Sequence, residues 1–284
     1  MRQFNRIAII GVGLIGGSIG LGIKKRGAAG EVIGVFRHKA TLKKALKRKA
    51  VDKGVMSVKD GVKDADLIIL ATPVFSIPIV AAEVIKYAKK GAIITDAGST
   101  KRWVSEKIEK LIGRRPEIFY VGSHPMAGSE KTSVVYAREG LLEGSPCIVT
   151  RTPGTDKRSL GKMTAFWKSL GAKVKIMSPA GHDRSISLIS HLPHLVAFSL
   201  AGAVPEKELI YAAEGFKDTT RIAASDPSLW ADIFLSNRSE VLRSARIFES
   251  YYGKLVGVLS KGGHSKMVKF LKAAGTKRNR LVHG

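Results

Sequence analysis

The sequence has 284 residues and a formal net charge of +25, with 44% hydrophobic and 25% charged residues. A chain of this length forms one large domain or two smaller ones, and the composition is ordinary for a globular protein with a sizeable core. No apolar run reaches the roughly 18 residues that cross a bilayer, and the first residues lead straight into a strand-like run rather than a signal peptide. The composition therefore disfavours an integral membrane protein, and we expect no membrane partner.

The cysteine content indicates the cellular compartment, and the net charge limits the kinds of partner. Cys147 is the single cysteine, which excludes an intrachain disulfide and favours a reducing, cytoplasmic location. A strong positive charge can indicate nucleic-acid binding, but here the basic residues are spread over many segments and no recognised nucleic-acid motif accompanies them. We interpret the charge as the lysine-rich surface of an enzyme with anionic ligands and expect no nucleic-acid partner.

The first part of the chain alternates short apolar runs with stretches of helical length. The apolar runs are rich in β-branched residues and bounded by Gly, Asp or Pro, which is typical of buried strands. Strands are predicted at residues 7–10, 32–36, 67–71, 92–95, 119–121, 147–150 and 173–177, and helices at residues 14–25, 41–49, 78–89, 101–112 and 157–170. This alternation predicts an α/β fold with an N-terminal Rossmann-type, doubly wound, mostly parallel sheet.

The pattern changes after Met177. The segment that begins at Ser178 resembles a turn and a helix start, and helical periodicity then continues to the end with almost no strand signal. We therefore predict two domains: a dinucleotide-binding domain over residues 1–177 and an all-helical domain for substrate binding and dimerisation over residues 178–284. The homodimer is expected by analogy with other helical domains that follow a nucleotide-binding domain. Because the sequence ends at Gly284, we expect no fused regulatory domain.

A glycine-rich motif follows the first predicted strand and opens the first predicted helix. It reads Gly11-Val12-Gly13-Leu14-Ile15-Gly16, a G-x-G-x-x-G pattern. Gly11 permits a tight turn, Gly13 lets the backbone approach a pyrophosphate, and Gly16 lets the helix pack closely on the strand. The helix N-terminus then offers free N–H groups to the phosphates. The motif predicts a bound dinucleotide, with contacts from Gly11, Gly13, Leu14, Ile15, Gly16 and, after a later strand, Thr72 and Pro73.

The second predicted strand bears on the choice of dinucleotide. An acidic residue there commonly holds the ribose 2′-hydroxyl of NAD, but Phe36 stands at that position. Arg37, with help from His38 or Lys39, could instead pair with the 2′-phosphate of NADP. We favour NADP; the alternative is that these charges are solvated and NAD binds without the acid.

Three later segments carry groups that suit hydride transfer from an anionic, hydroxylated substrate. They span residues 96–101, 122–130 and 190–230. The first two follow strand ends, which open onto the ligand crevice of a doubly wound sheet. A histidine such as His124 is a suitable general base near neutral pH, and Ser99 can orient a substrate hydroxyl. Arg221, in the helical part, can grip a carboxylate with two hydrogen bonds.

These segments resemble the prephenate/arogenate dehydrogenase family over residues 6–250. The specific parts are His-Pro-Met-Ala-Gly from His124 and Phe-Lys-Asp-Thr-Thr-Arg-Ile-Ala from Phe216. The resemblance implies removal of a hydride from the ring carbon that bears the 4-hydroxyl, with loss of carbon dioxide and aromatisation. The product would be 4-hydroxyphenylpyruvate from prephenate or tyrosine from arogenate, and we favour prephenate slightly.

The same resemblance implies roles for particular residues. His124 would accept the hydroxyl proton, and Ser99 would position His124, the hydroxyl and the nicotinamide. Arg221 would clamp a substrate carboxylate. Further substrate-pocket groups would be His194, Ser190 and Lys217, with Glu130 and Trp230 more loosely implied.

Each of these residues also has a structural alternative. Ser99 could cap a helix over residues 100–112, and Arg221 could pair with Asp218 or Asp226 on a helix surface. His191 and His194 lie three apart, which could suit a metal, but no further ligands with zinc-type spacing lie nearby, so we expect no metal. The rival functions are a β-hydroxyacid dehydrogenase, an imine reductase and a basic nucleic-acid-binding protein.

Overall fold

A computed structural model describes residues 2–128 and 133–280 of the chain. The strands are β1 (Phe4–Ile10), β2 (Ala29–Val35), β3 (Lys53–Val55), β4 (Leu67–Leu70), β5 (Ile93–Asp96), β6 (Phe119–Tyr120), β7 (Ser123–Pro125), β8 (Pro146–Thr150) and β9 (Lys173–Met177). The helices are α1 (Leu14–Arg26), α2 (Lys39–Lys47), α3 (Val58–Val62), α4 (Ser76–Tyr87), α5 (Arg102–Ile112), α6 (Lys157–Ser169), α7 (Pro179–Ile186), α8 (Leu192–Ala203), α9 (Glu214–Thr220), α10 (Pro227–Ser236), α11 (Arg238–Ser260) and α12 (His264–Asn279). A π-helical turn, Ser187–His191, joins α7 to α8, and 3-10 turns lie at Val134–Tyr136, Glu206–Tyr211 and Arg221–Ala224.

Six strands form one parallel sheet in the order β3-β2-β1-β4-β5-β6. The chain moves outward from β1 to β3, returns to the middle at β4 and then moves outward on the other side. This is the doubly wound, Rossmann-type arrangement, so the predicted fold class is confirmed. The order reverses between β1 and β4, and ligands of such sheets bind beside that reversal, at the carboxyl ends of the strands.

The sheet is buried on both faces because successive side chains of each strand point to opposite sides. In β1, Ile7 and Ile9 join one apolar cluster with α1 and α6, while Ala8 and Ile10 join a second cluster with α4 and α5. This two-sided burial explains why the strands are continuous apolar runs rather than alternating apolar and polar residues.

A smaller sheet of three strands lies beside the large one. Its order is β7-β8-β9, with β7 antiparallel and β9 parallel to β8. The sequence patterns did not predict β7, because its three residues include Pro125 and His124 and show no apolar run. Pro125 is tolerated because β7 is an edge strand, and the hydrogen bonds between β7 and β8 do not need an N–H at this position. The short polar elements β3 and α3 were also not predicted.

Among the described residues, every strand precedes Ser178 and only helices follow it. Ser178 caps α7, since its Oγ accepts a hydrogen bond from the Gly181 N–H, and Pro179 occupies the first turn. The chain divides into two compact units elsewhere, at residues 1–238 and 239–284. The boundary near Ser178 stays a prediction.

One helical segment, Pro179–Ala203, is long and apolar enough by length and composition alone to cross a membrane. A single such segment is weak support for a membrane span. Its most apolar window is 22% buried, and the segment carries Asp183, Arg184 and two cleft-lining residues, Ser190 and His194. The absence of a membrane partner and the cytoplasmic location stay predictions.

Candidate active site

A cleft of about 580 Å³ lies at the carboxyl ends of β1, β4 and β5. Its floor is formed by the loops that follow these strands and by β7, and its helical wall by α8, the 3-10 turn Arg221–Ala224 and α10. The predicted site residues that line it are Gly13, Leu14, Ile15, Thr72, Pro73, Ser99, His124, Ser190, His194 and Arg221. Residues far apart in the sequence therefore meet around one cavity.

The loop from Gly11 to Gly16 forms a phosphate cradle that has no room for side chains. Gly11 adopts a φ of +90°, and a Cβ there would lie 2.5 Å from the carbonyl oxygen of Ala71. A Cβ on Gly16 would lie 2.2 Å from the Gly11 carbonyl oxygen. In the described structure no side chain caps α1, and its first turn carries no acidic residue. The cradle therefore fits a dinucleotide pyrophosphate, which the helix N-terminus would hold through backbone N–H groups.

The substitution Gly16→Ala tests this cradle. Because the new methyl group meets backbone rather than a flexible side chain, we expect a loss of about 1–3 kcal/mol in unfolding free energy and weaker dinucleotide binding. Gly22→Ala in the same helix is the matched control. A Cβ there lies 3.4 Å from the Glu139 carbonyl oxygen, so the change is expected to be neutral or stabilising by up to about 1 kcal/mol. Urea unfolding and cofactor titration measure both; equal behaviour of the two variants would contradict the prediction.

Thr72 and Pro73 stand where β4 opens into the cleft. Within the described residues, the Thr72 Oγ1 is buried without a hydrogen-bond partner. Buried hydroxyls are normally satisfied, so this orphaned oxygen marks a place where a bound molecule would complete the hydrogen bonding. The orphan and the glycine cradle together fit a nicotinamide dinucleotide, which would supply the hydride acceptor.

The loop after β2 lies outside the residues that line the cleft. Phe36 is buried in the core, and an added Cβ on Gly34 would lie 2.5 Å from its ring. Arg37, His38 and Lys39 are exposed. These three residues follow β2, and β2 lies next to β1, the strand that leads into the glycine loop.

His124 is held in place by the strand that carries it. The preceding residue, Ser123, is buried, and its Oγ accepts hydrogen bonds from the Thr95 Oγ1 and the Trp167 Nε1, each at 2.9 Å. These two bonds join β7 to β5 and to α6. His124 is half-buried and lines the cleft together with Ser99.

A second histidine lies behind His124. The Nδ1 of His124 is 2.8 Å from the Nε2 of His182, and the Nδ1 of His182 is 2.7 Å from an oxygen of Asp183. Burial lowers the pKa of His124 well below its usual value, and His182 and Lys101 lower that pKa further. His124 is therefore neutral at physiological pH and able to accept a proton.

Asp183 also caps the helix that follows the Ser99 loop. Its two carboxylate oxygens accept the backbone N–H groups of Lys101 and Arg102, at 2.7 and 2.9 Å. The interpretation of Ser99 as the cap was wrong: α5 begins at Arg102, the capping position is Lys101, and the N–H groups are satisfied from another helix. The sequence could not indicate this, because the cap lies about 80 residues later.

Two buried charges stabilise the same corner. Lys101 and Asp96 form an ion pair with both side chains fully buried, and the Tyr120 hydroxyl donates a hydrogen bond to the other Asp96 oxygen at 2.8 Å. The cost of burying the Asp96 carboxylate is offset by these bonds and by the Gly98 N–H, which donates to it at 2.9 Å. The pair lies directly behind the loop that presents Ser99.

The helical wall presents a stacked imidazole. His194 lies over the Trp230 ring with centroids 3.4 Å apart and planes 20° apart, and its Nδ1–H donates to the Ser190 carbonyl oxygen at 3.0 Å. Because a carbonyl can only accept, the neutral ring has its unprotonated Nε2 available. Burial lowers the pKa of His194, and the nearby Arg221 lowers it further.

Some predicted residues are not brought to the cleft. Lys217 is exposed, forms an ion pair with Glu214 at 3.2 Å and is absent from the described lining. Glu130 lies outside the described residues. His191 lies 3.3 Å from the Asn237 amide through its Nδ1, while His194 uses its own Nδ1 elsewhere, and the described residues include no cluster suited to a metal.

The sequence patterns gave no role to His182, Asp183, Lys101 or Asn237. The available signal was weak: a His-Asp pair in the first turn of a helix, five residues after a predicted strand. Nothing local connects such a pair with His124, which lies 58 residues earlier. Only the tertiary packing of α7 brings His182 next to His124 on β7.

A Rossmann-type sheet whose phosphate cradle opens onto a cleft with a neutral histidine defines a nicotinamide-dependent dehydrogenase. Two family models match the chain: the nucleotide-binding domain of prephenate dehydrogenase over residues 19–176 and its dimerization domain over residues 178–273. The chain belongs to the prephenate dehydrogenase family. This membership disfavours the β-hydroxyacid dehydrogenase, imine reductase and nucleic-acid-binding alternatives.

Known proteins agree with this assignment. A prephenate dehydrogenase of Bacillus subtilis is 39% identical over 83% of this chain, which spans 65% of that relative's length. A cyclohexadienyl dehydrogenase of Zymomonas mobilis is 34% identical over 85% of this chain and 84% of its own length. The crystal structure of Aquifex aeolicus prephenate dehydrogenase with hydroxyphenyl propionate and NAD+ is 33% identical, covers 98% of both chains and has a TM-score of 0.90.

Proposed function

We propose that this protein oxidatively decarboxylates prephenate to 4-hydroxyphenylpyruvate, with hydride transfer to NADP or NAD, as a step toward tyrosine. The observation that carries the proposal is the shared cleft: a neutral imidazole on the sheet side and a guanidinium on the helical side line the same cavity as the phosphate cradle. A small anion with a hydroxyl group matches the imidazole and the guanidinium, and a dinucleotide matches the cradle.

The chain's own residues would bind, orient and accept a proton. A bound nicotinamide would supply the acceptor for the hydride that leaves the carbon bearing the hydroxyl. The His124 Nε2 accepts the hydroxyl proton as a carbonyl forms, which stabilises the positive charge that develops on that carbon. Arg221 holds a substrate carboxylate with two hydrogen bonds, and Ser99 orients the hydroxyl. The C–C bond to the ring carboxylate then breaks, carbon dioxide leaves, and the electron pair of that bond enters the ring, which becomes aromatic and so drives the step. The phenolate oxygen takes the proton back from His124, so the enzyme is regenerated.

Arogenate is the alternative substrate, because it differs only in the side chain, where an amino group replaces a keto group. A steady-state assay that crosses both substrates with both cofactors, followed by the absorbance of the reduced nicotinamide, tests the proposal. We expect turnover with prephenate and release of carbon dioxide. Turnover of hydroxyacids or cyclic imines, with none on either cyclohexadienyl substrate, would overturn it.

We favour NADP over NAD because the loop after β2 presents Arg37 and His38 to solvent and carries no carboxylate. Arg37→Ala is expected to lower kcat/KM for NADP about 10- to 100-fold, the effect of losing a charged hydrogen bond, and to leave NAD nearly unchanged. Arg114→Ala, a change at another exposed arginine, is the matched control and should leave both values unchanged. A wild-type preference for NAD would contradict the assignment.

We also propose a homodimer formed by the helical part. Only 22% of the most apolar window of Pro179–Ala203 is buried in the single chain. Ile189 in this segment and Ile210 after it are 66% and 78% exposed. The family description of residues 178–273 as a dimerization domain supports the same partner, a second copy. Sedimentation should give twice the chain mass of 30.6 kDa, and a monomer at micromolar concentration would contradict this.

A further inference from the structure

A chain of three side chains runs from the cleft into the interior. It starts at His124, continues through His182, which is fully buried, and ends at Asp183, which is 1% exposed. The two links, at 2.8 and 2.7 Å, are short enough to be strong hydrogen bonds. Each link needs one donor and one acceptor, so the protonation of one end determines that of the other.

The Asp183 end is set as an acceptor. One of its oxygens accepts the Lys101 N–H and also faces His182, and the other accepts the Arg102 N–H. Burial raises the pKa of Asp183, whereas the two backbone N–H groups and the Lys101 charge lower it. A carboxylate at a helix N-terminus is further stabilised by the helix dipole, and we therefore assign Asp183 as ionised at neutral pH. The His182 Nδ1 therefore carries the proton and donates it to Asp183.

The protonation of Asp183 determines which ring nitrogens of His182 and His124 carry a proton. Burial lowers the pKa of His182 well below its usual value, with Lys101 and His191 acting in the same direction, so its ring is neutral. A neutral ring with a protonated Nδ1 has an unprotonated Nε2, which can only accept. The His124 Nδ1 must then be the donor, and the His124 Nε2 is left with its lone pair.

We propose that His182 and Asp183 are positioning residues that hold His124 in the one neutral tautomer whose unprotonated Nε2 can take a proton from the substrate. The proposal deepens the proposed function and rests on it for the identity of the substrate. The opposite tautomer would place an N–H on Nε2, and His124 could then donate a hydrogen bond but not act as a base.

Further hydrogen bonds hold Asp183 and His182 in position. The Asn237 amide donates to the Asp183 backbone carbonyl at 3.0 Å, and Ser178 caps the helix on which both His182 and Asp183 stand. Asp183 also ties that helix to α5 through the two backbone bonds already described. These contacts pre-organise the imidazole before substrate arrives, which is the general requirement for efficient proton transfer.

Three variants separate tautomer control from simple packing. His182→Leu removes the acceptor for the His124 Nδ1–H, and His182→Gln restores an oxygen that can accept from it. Asp183→Asn lets an amide N–H donate to His182, which reverses the direction of both hydrogen bonds. Serine proteases lose about 10⁴-fold in kcat when the corresponding aspartate becomes asparagine and the histidine takes the wrong tautomer. His264→Leu, at an exposed histidine of α12, is the control.

The main readout is nitrogen-15 NMR of histidine-labelled enzyme, with the His124 signals identified by their loss in His124→Asn. We expect Nδ1–H in the wild type and a shift toward Nε2–H in Asp183→Asn. We also expect kcat to fall at least about 100-fold in His182→Leu and Asp183→Asn, with partial recovery in His182→Gln and KM within about threefold. Thermal unfolding identifies any variant that loses its fold, and the remaining variants then decide the outcome.

The outcomes are distinguishable. An Nε2–H tautomer in the wild type, or the same tautomer and the same kcat in a folded Asp183→Asn enzyme, would overturn the positioning role. Equal kcat losses in His182→Gln and His182→Leu, both folded and both with unchanged tautomer, would overturn it too. Lack of turnover of prephenate and arogenate by the wild type would instead reject the proposed function, because the NMR measurement needs no substrate.

Discussion

His124→Asn is expected to lower kcat about 10²- to 10⁴-fold, the range for loss of a general base. Asparagine keeps a polar side chain of similar reach but has no nitrogen that accepts a proton. KM and cofactor affinity should change little, because the phosphate cradle and Arg221 remain in place. Steady-state kinetics at saturating cofactor measures the effect.

The control for this variant is His264→Asn, which replaces an exposed histidine of α12 and should leave kcat unchanged. The pH profile provides a second check with a definite sign. His124 must be neutral to accept a proton, and its pKa is held well below the usual value of 6.5, so activity should persist below pH 6.5 and decline only at lower pH. A kcat within a few-fold of wild type for His124→Asn would reject the role of this residue.

Arg221→Ala is expected to raise KM for the substrate about 10- to 100-fold. The reason is the loss of the charged contact with a carboxylate, which contributes about 1.5–3 kcal/mol. Arg221→Lys should recover only part of the loss, since an ammonium group cannot make the two parallel bonds of a guanidinium. Initial rates over a range of substrate concentrations, together with cofactor titration, separate substrate binding from cofactor binding.

Arg26→Ala is the matched control for the arginine substitution. Arg26 is exposed at the end of α1 and pairs with Glu143 at 2.7 Å, outside the residues that line the cleft. An exposed pair of this kind contributes at most about 1 kcal/mol, so KM should not change. If Arg221→Ala also leaves KM unchanged, the substrate carboxylate is held elsewhere and the proposed binding mode fails.

The sheet and the cofactor site follow from short-range patterns. Residues 7–10 form a buried run of the kind that a parallel sheet requires, and Gly11, Gly13 and Gly16 follow at the spacing of a phosphate loop. Their geometry is dictated by adjacent backbone, as the close approaches of Gly11 to Ala71 and of Gly16 to Gly11 demonstrate. Such constraints leave a signature in a single sequence because few other residues satisfy them.

The support of His124 has no such signature. β7 was missed because its three residues are held by contacts with β8 and with Trp167, not by an apolar pattern of their own. The alternative that Ser99 caps a helix was wrong, although its own sequence context suits a cap. Asp183 performs that capping from another helix, and no local rule connects two residues so far apart in the chain.

The amino-acid order by itself determined most strands and helices of the large sheet, where the dinucleotide cradle lies and which residue types can transfer a proton or hold a carboxylate. The tertiary structure alone decided that Asp183 caps α5, that His182 lies behind His124, and that Lys217 stays outside the cleft lining. The physical reason is the separation along the sequence of the residues that determine each property. Backbone conformation responds mainly to neighbouring residues, whereas the protonation and orientation of a buried imidazole depend on whatever the folded chain packs against it.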